Sequence, residues 1–148
     1  MSSRHVKQID SSDDRIIIDA EFQNLSPESL FDYFTVPGLL EKWWPSLAEV
    51  DPRIAGTYHF SWPKQGWHLR GSYTDFERGK RLGFSWKWDH EPSDNTNVSL
   101  TIEPLPRRGS HLVLNHGSYS LDEEGRKRRQ GHIDGWMHFL ERLQSSAQ

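Results

Sequence analysis

The sequence of 148 residues contains no cysteine. A disulfide, a thiolate nucleophile and a thiolate metal site are therefore excluded, and the composition fits a reducing, cytoplasmic setting. An excess of charge of either sign is missing too. The 18 Lys and Arg stand against 21 Asp and Glu, a formal net charge of −3, without the basic surplus that phosphate recognition draws on; no nucleic acid is expected as a partner. Long apolar runs are also absent. Ile16-Ile17-Ile18 falls far short of the roughly 20 apolar residues that span a bilayer, so no membrane span is expected. Residues 1–14 are polar and charged, without the apolar core of a secretory signal. Against these shortages stand 7 Trp, 7 Phe and 4 Tyr in a chain only 34% hydrophobic. Each such ring hides about 150–250 Å² on burial, so aromatic bulk must do much of the work of a core.

Periodicity organises the rest into one domain over residues 15–144, between a polar leader (1–14) and a short tail (145–148) that are both expected to fray. Ile16, Ile18, Ala20 and Phe22 alternate with polar residues as in a half-buried strand. Ser26-Pro27-Glu28 supplies an N-cap, a proline at the first helical position and an acidic first turn. A second short helix is expected from Pro37 to Pro45. Strands follow over 57–62, 67–77, 81–88, 97–103 and 110–118, separated by turn-forming segments that include a polar loop over 91–96. Short connections between consecutive strands imply an antiparallel meander. Ile133, Trp136, Met137, Leu140 and Leu143 recur at helical steps after a capping-box spacing of Ser120 and Glu123. The long helix they define covers the apolar face of the sheet, and Gly131 and Gly135 share one side of it.

The segments TVPGLLEKWW (35–44), DPRIAGTY (51–58), RLGFSW (81–86) and GWMHFL (135–140), in that order, resemble the START-like (SRPBCC, polyketide cyclase/lipid transport) superfamily. Within it the chain is most similar to single-domain bacterial homologues of the activator of heat-shock-protein-90 ATPase. The resemblance implies an α+β helix-grip fold. In that fold a curved antiparallel sheet wraps around a long C-terminal helix, two short helices follow the first strand, and a cavity between sheet and helix takes an apolar or amphipathic molecule. Some branches catalyse cyclisation or hydrolysis there. Val36 and Ala55-Gly56 depart from the family's usual Asp and paired glycines without touching the fold. The eukaryotic activators carry a further N-terminal domain that contacts the chaperone, for which this chain has no room.

In the helix-grip arrangement Trp44, Tyr73, Trp86, Trp88, His116, His132 and Trp136 fall on elements that face the cavity. Trp and Tyr combine a large apolar wall with one polar atom, which suits an aromatic or amphipathic ligand. His116 shares parity with Leu112 and Leu114, and Asp75 with Trp67 and Tyr73, so these two are the candidates for a proton carrier if the cavity is catalytic. No nucleophile elbow, phosphate loop or dinucleotide fingerprint occurs, and no histidine pair has the spacing of a zinc-binding helix, so neither cofactor nor metal is expected. Arg126-Lys127-Arg128-Arg129 directly follows Asp122-Glu123-Glu124 and reads as a locally neutralised helix start. The leading reading is binding of an apolar or aromatic small molecule. A cavity enzyme and a chaperone ATPase-activating cofactor are the alternatives, and exposed edge strands leave a homodimer open.

Overall fold

A computed structural model describes residues 5–147. Eight strands form one antiparallel sheet in the order β1-β2-β8-β7-β6-β5-β4-β3. They are β1 (His5–Ile9), β2 (Arg15–Phe22), β3 (Leu47–Val50), β4 (Thr57–Trp62), β5 (Trp67–Glu77), β6 (Arg81–Trp88), β7 (Glu91–Pro104) and β8 (Ser110–Gly117). Helices α1 (Pro27–Thr35) and α2 (Pro37–Leu40) follow β2, and α3 (Glu123–Ser146) ends the chain. The curved sheet and the long final helix make the α+β helix-grip fold.

The alternation read in β2 is the one observed: Ile16, Ile18, Ala20 and Phe22 are buried while Arg15, Ile17, Asp19 and Glu21 are only partly so. Leu112, Leu114 and His116 in β8 and Val98, Leu100 and Ile102 in β7 extend that inner face. Against it lie Ile133, Trp136, Leu140 and Leu143, one stripe of α3. Ser26 caps α1 through its hydroxyl, which accepts from Ser29 N, and Pro27 occupies the first turn.

Five local features differ from the sequence reading. His5–Ile9 pairs with β2 as an edge strand inside what reads as a polar leader; an edge strand with little to bury shows little alternation. Leu47–Val50 forms the opposite edge, pairing with β4, and is too short to carry a period. β7 begins at Glu91, so the polar stretch 91–96 is strand, joined to β6 with a register shift between Trp86 and Trp88. Helix α2 stops at Leu40, after which turns deliver Trp43 and Trp44, with Trp44 N bonded to Leu40 O at 3.0 Å. The cap of α3 is Asp122, whose carboxylate accepts from Gly125 N at 2.8 Å, while the Ser120 hydroxyl donates to that carboxylate.

Candidate functional site

Six of the seven tryptophans meet between the middle of α3 and the β4–β6 end of the sheet, around a cleft of about 380 Å³. Trp44 comes from the turn after α2, stacks on Trp86 at 5.8 Å and meets Trp136 of α3 at 5.0 Å. Trp62 and Trp67 flank the β4–β5 turn, directly opposite each other in register, and each packs on Trp88 of β6 at 5.5 and 6.1 Å. The backbone fixes one of these rings: Trp62 Nε1 donates to Trp44 O at 3.1 Å. Trp43, the seventh, is fully buried in the core with its N–H on Tyr33 O.

The space exists because α3 lacks side chains where it crosses this wall. A Cβ built on Gly131 or on Gly135 would meet no atom within 4 Å. Both glycines line the cleft, with Phe139 one turn further on and His132 and Gln65 as its polar side chains. Towards the N-terminal half of α3 the cleft runs into a polar vestibule of about 410 Å³, which shares Gly131 and His132 and adds Glu91, Glu124, Lys127 and Arg128.

Of the residues singled out in the sequence, Trp44, Trp86, Trp88, His132 and Trp136 come together on this wall. Tyr73 does not. It packs among Tyr58, Phe76 and Phe84, where the rings leave no room for a water molecule. Its hydroxyl has no hydrogen-bond partner among the described residues. Burial, and secondarily the Asp51 carboxylate, push the phenol pKa well up.

His116 lies behind the wall and not on it. The imidazole is fully buried; Trp136 Nε1 donates to its Nδ1 at 3.0 Å, and its Nε2 stands 2.8 Å from Thr96 Oγ1. An indole N–H only donates, so Nδ1 is the acceptor and the proton of the neutral ring sits on Nε2. Burial, with a smaller contribution from His132, holds its pKa well below the ordinary value of 6.5. His132 stacks flat on it at 4.9 Å and bonds through Nδ1 to the Tyr119 hydroxyl at 2.6 Å.

Asp75 is outside. The ladder between β5 and β6 shifts between Tyr73 and Asp75, and this bulge reverses which parity faces inward, so Phe76 packs with Phe31 and Tyr73. The Asp75 carboxylate, 46% exposed, lies 3.6 Å from Arg81.

Trp62, Trp67, Gln65 and Phe139 are the wall residues that strand parity and helix periodicity did not single out. The signal for the first two was their symmetric position about the turn Pro63–Gly66. Of the other histidines, His111 bonds to Asp19 and His59 to His68 and Glu49, while His90 packs against Trp67 and Trp88 and His138 against Phe139. Among the described residues no group of three or more His, Cys, Asp or Glu is arranged to hold a metal ion, and no helix is long and apolar enough to cross a membrane. A larger open groove, about 750 Å³, crosses the opposite face of the sheet between Glu49 and Lys87. Its polar side chains include His59, bonded to Glu49, and Arg70, which holds Asp89 at 3.0 Å.

Solved structures share this architecture. A crystal structure from Mesorhizobium loti matches with a TM-score of 0.78 at 24% identity over 90% of this chain and 96% of that one. A protein from Rhodobacter sphaeroides matches at 0.75 and 20% identity, over 95% and 97%. An HSP90 activator from Plasmodium falciparum matches at 0.71 and 22% identity, over 89% and 94%. No curated protein matches the sequence. The family model for Activator of Hsp90 ATPase homolog 1-like protein matches residues 24–148. The chain belongs to that family.

Proposed function

We propose that the protein binds an apolar or aromatic small molecule in the cleft between α3 and the β4–β6 end of the sheet. The observation that carries this reading is the pairing of six indoles with two facing glycines. A wall of that kind offers flat, desolvated surfaces for ring stacking, and the missing side chains at Gly131 and Gly135 leave the volume for a guest. The family's fold commonly takes hydrophobic ligands, which agrees with it.

Binding is favoured over turnover. His116 has both ring nitrogens engaged and its charged form suppressed, and the Asp75 carboxylate faces solvent beside Arg81; neither is available to move a proton in the cleft. His132 is the ionisable group left on the wall.

The test is a fluorescence titration of the intrinsic tryptophans with methylnaphthalene, on the wild type and on Gly135→Leu. Saturable quenching in the wild type that Gly135→Leu abolishes is the expected outcome; quenching that is linear and identical in both would refute the reading. A second reading, stimulation of a chaperone ATPase, rests on the family match, and an ATPase rate unchanged by added protein would dispose of it.

A further inference from the structure

Along one stripe of α3, at three- and four-residue steps, the side chains run from charged to apolar: Arg128, Gly131, His132, Gly135, Trp136, Phe139. The first three belong to the vestibule and the last five to the tryptophan cleft, Gly131 and His132 being common to both. A molecule lying along this stripe would meet a guanidinium at one end and indoles at the other.

Arg128 is unusual among the basic residues of its run. Lys127 is 77% exposed and reaches Glu123. Arg129 is tied to the backbone, donating from Nε to Arg15 O at 2.8 Å. The Arg128 side chain is only 14% exposed, yet its Nε makes no hydrogen bond among the described residues. Glu91 Oε1 lies 3.5 Å from that nitrogen, close enough for charge attraction but outside hydrogen-bond geometry, and Nη2 reaches Ser93 Oγ at 3.3 Å. Leaving a buried guanidinium N–H without an acceptor is costly. The Glu91 side chain is 42% exposed, so it can turn to water when a better-placed carboxylate arrives.

We infer that the ligand is an aromatic carboxylate, its rings against Trp136 and Trp86 and its carboxylate paired with Arg128 at the vestibule in place of Glu91. A carboxylate fits the fork of a guanidinium in a two-bond geometry and would supply the acceptor that Nε lacks. An ammonium group would meet the same buried cation and be repelled. This rests on the cleft being the binding site, as proposed above.

Three probes of one ring system separate the two ideas: naphthoate, methylnaphthalene and naphthylmethylammonium, titrated by tryptophan fluorescence. The wild type is expected to bind naphthoate on the order of tenfold more tightly than methylnaphthalene, and the ammonium more weakly than either. Arg128→Gln should remove the advantage of naphthoate while leaving methylnaphthalene affinity unchanged, which also reports that the cleft is intact. Glu91→Gln, which removes the competing carboxylate, should tighten naphthoate several-fold, an effect that a purely structural Arg128 would not produce. Equal binding of naphthoate and methylnaphthalene, a preference for the ammonium, or a naphthoate preference that survives Arg128→Gln overturns the inference and leaves the cleft standing. Failure of all three probes to bind overturns both.

Discussion

The indole N–H of Trp136 donates to Nδ1 of His116 at 3.0 Å. One bond thereby does two things. It orients a ring of the cleft wall from behind, and it fixes His116 as the neutral tautomer with its proton on Nε2.

A first prediction concerns pH. His116 has a folded-state pKa well below its ordinary 6.5, so between those two values the unfolded chain binds a proton that the folded chain refuses. Stability is therefore full above about pH 6.5 and falls as the pH drops through that window, by at most about 1.4 kcal/mol per pH unit from this group. Urea unfolding from about pH 7.5 down to about pH 5 should show the decline, and His116→Asn should flatten it while lowering stability at neutral pH. A variant with the same acid slope as the wild type would contradict the assignment.

The glycines of α3 should split into two kinds. At Gly131 and Gly135 a methyl group meets open space, so Gly→Ala should stabilise by about 0.5–1 kcal/mol through helix propensity. At Gly125 a Cβ would run into the backbone carbonyl of Ser120, a contact that must be pushed apart. Gly125→Ala should therefore destabilise, by about 1–3 kcal/mol. Thermal unfolding of the three variants gives the signs.

Two tyrosines offer a matched comparison. Tyr58 donates its hydroxyl to Ser85 O at 2.6 Å, whereas the buried hydroxyl of Tyr73 has no partner among the described residues. Tyr58→Phe leaves a carbonyl short of a donor and should cost about 1 kcal/mol. Tyr73→Phe removes an unsatisfied polar group and should be neutral or stabilising by up to about 1 kcal/mol. Denaturant midpoints distinguish the two outcomes.

Burial of Leu140, fully enclosed in the stripe of α3 that faces the sheet, is expected to be worth about 2–5 kcal/mol by the Leu→Ala measure. Leu140→Ala should lower the unfolding midpoint far more than Gly135→Leu, because the first opens a cavity and the second fills an existing space.

What could be read from the chain follows from the range of the forces involved. The parity of Ile16, Ile18, Ala20 and Phe22 and the three- and four-residue steps from Ile133 to Leu143 are local consequences of burying one face, and they carry the fold. Asp75 went the other way because a single extra residue between Tyr73 and the next paired position reverses parity, and nothing in the side chains marks it. Tyr73 sits on a cavity-facing element, but Phe34, Tyr58, Phe60 and Phe84 fill that end solid, and the tryptophan cleft opens beside the glycines of α3 instead. Trp67 is 43% exposed at the rim of the cleft, a position set by the β4–β5 turn and not by a burial pattern. The Glu91–Arg128 pair joins a strand end to a helix face, a relationship that no spacing encodes.

The most direct test of the account is the set of seven indole N–H resonances, assigned by single Trp→Phe variants and followed by NMR during titration with methylnaphthalene. The expected result is saturable shifts of the cleft signals, led by Trp44, Trp86 and Trp136, with Trp43 unmoved because its ring lies in the core and its N–H is held by Tyr33 O. Shifts confined to the exposed rim residue Trp67, or no saturable shift at all, would contradict the claim that the tryptophan cleft is a binding site.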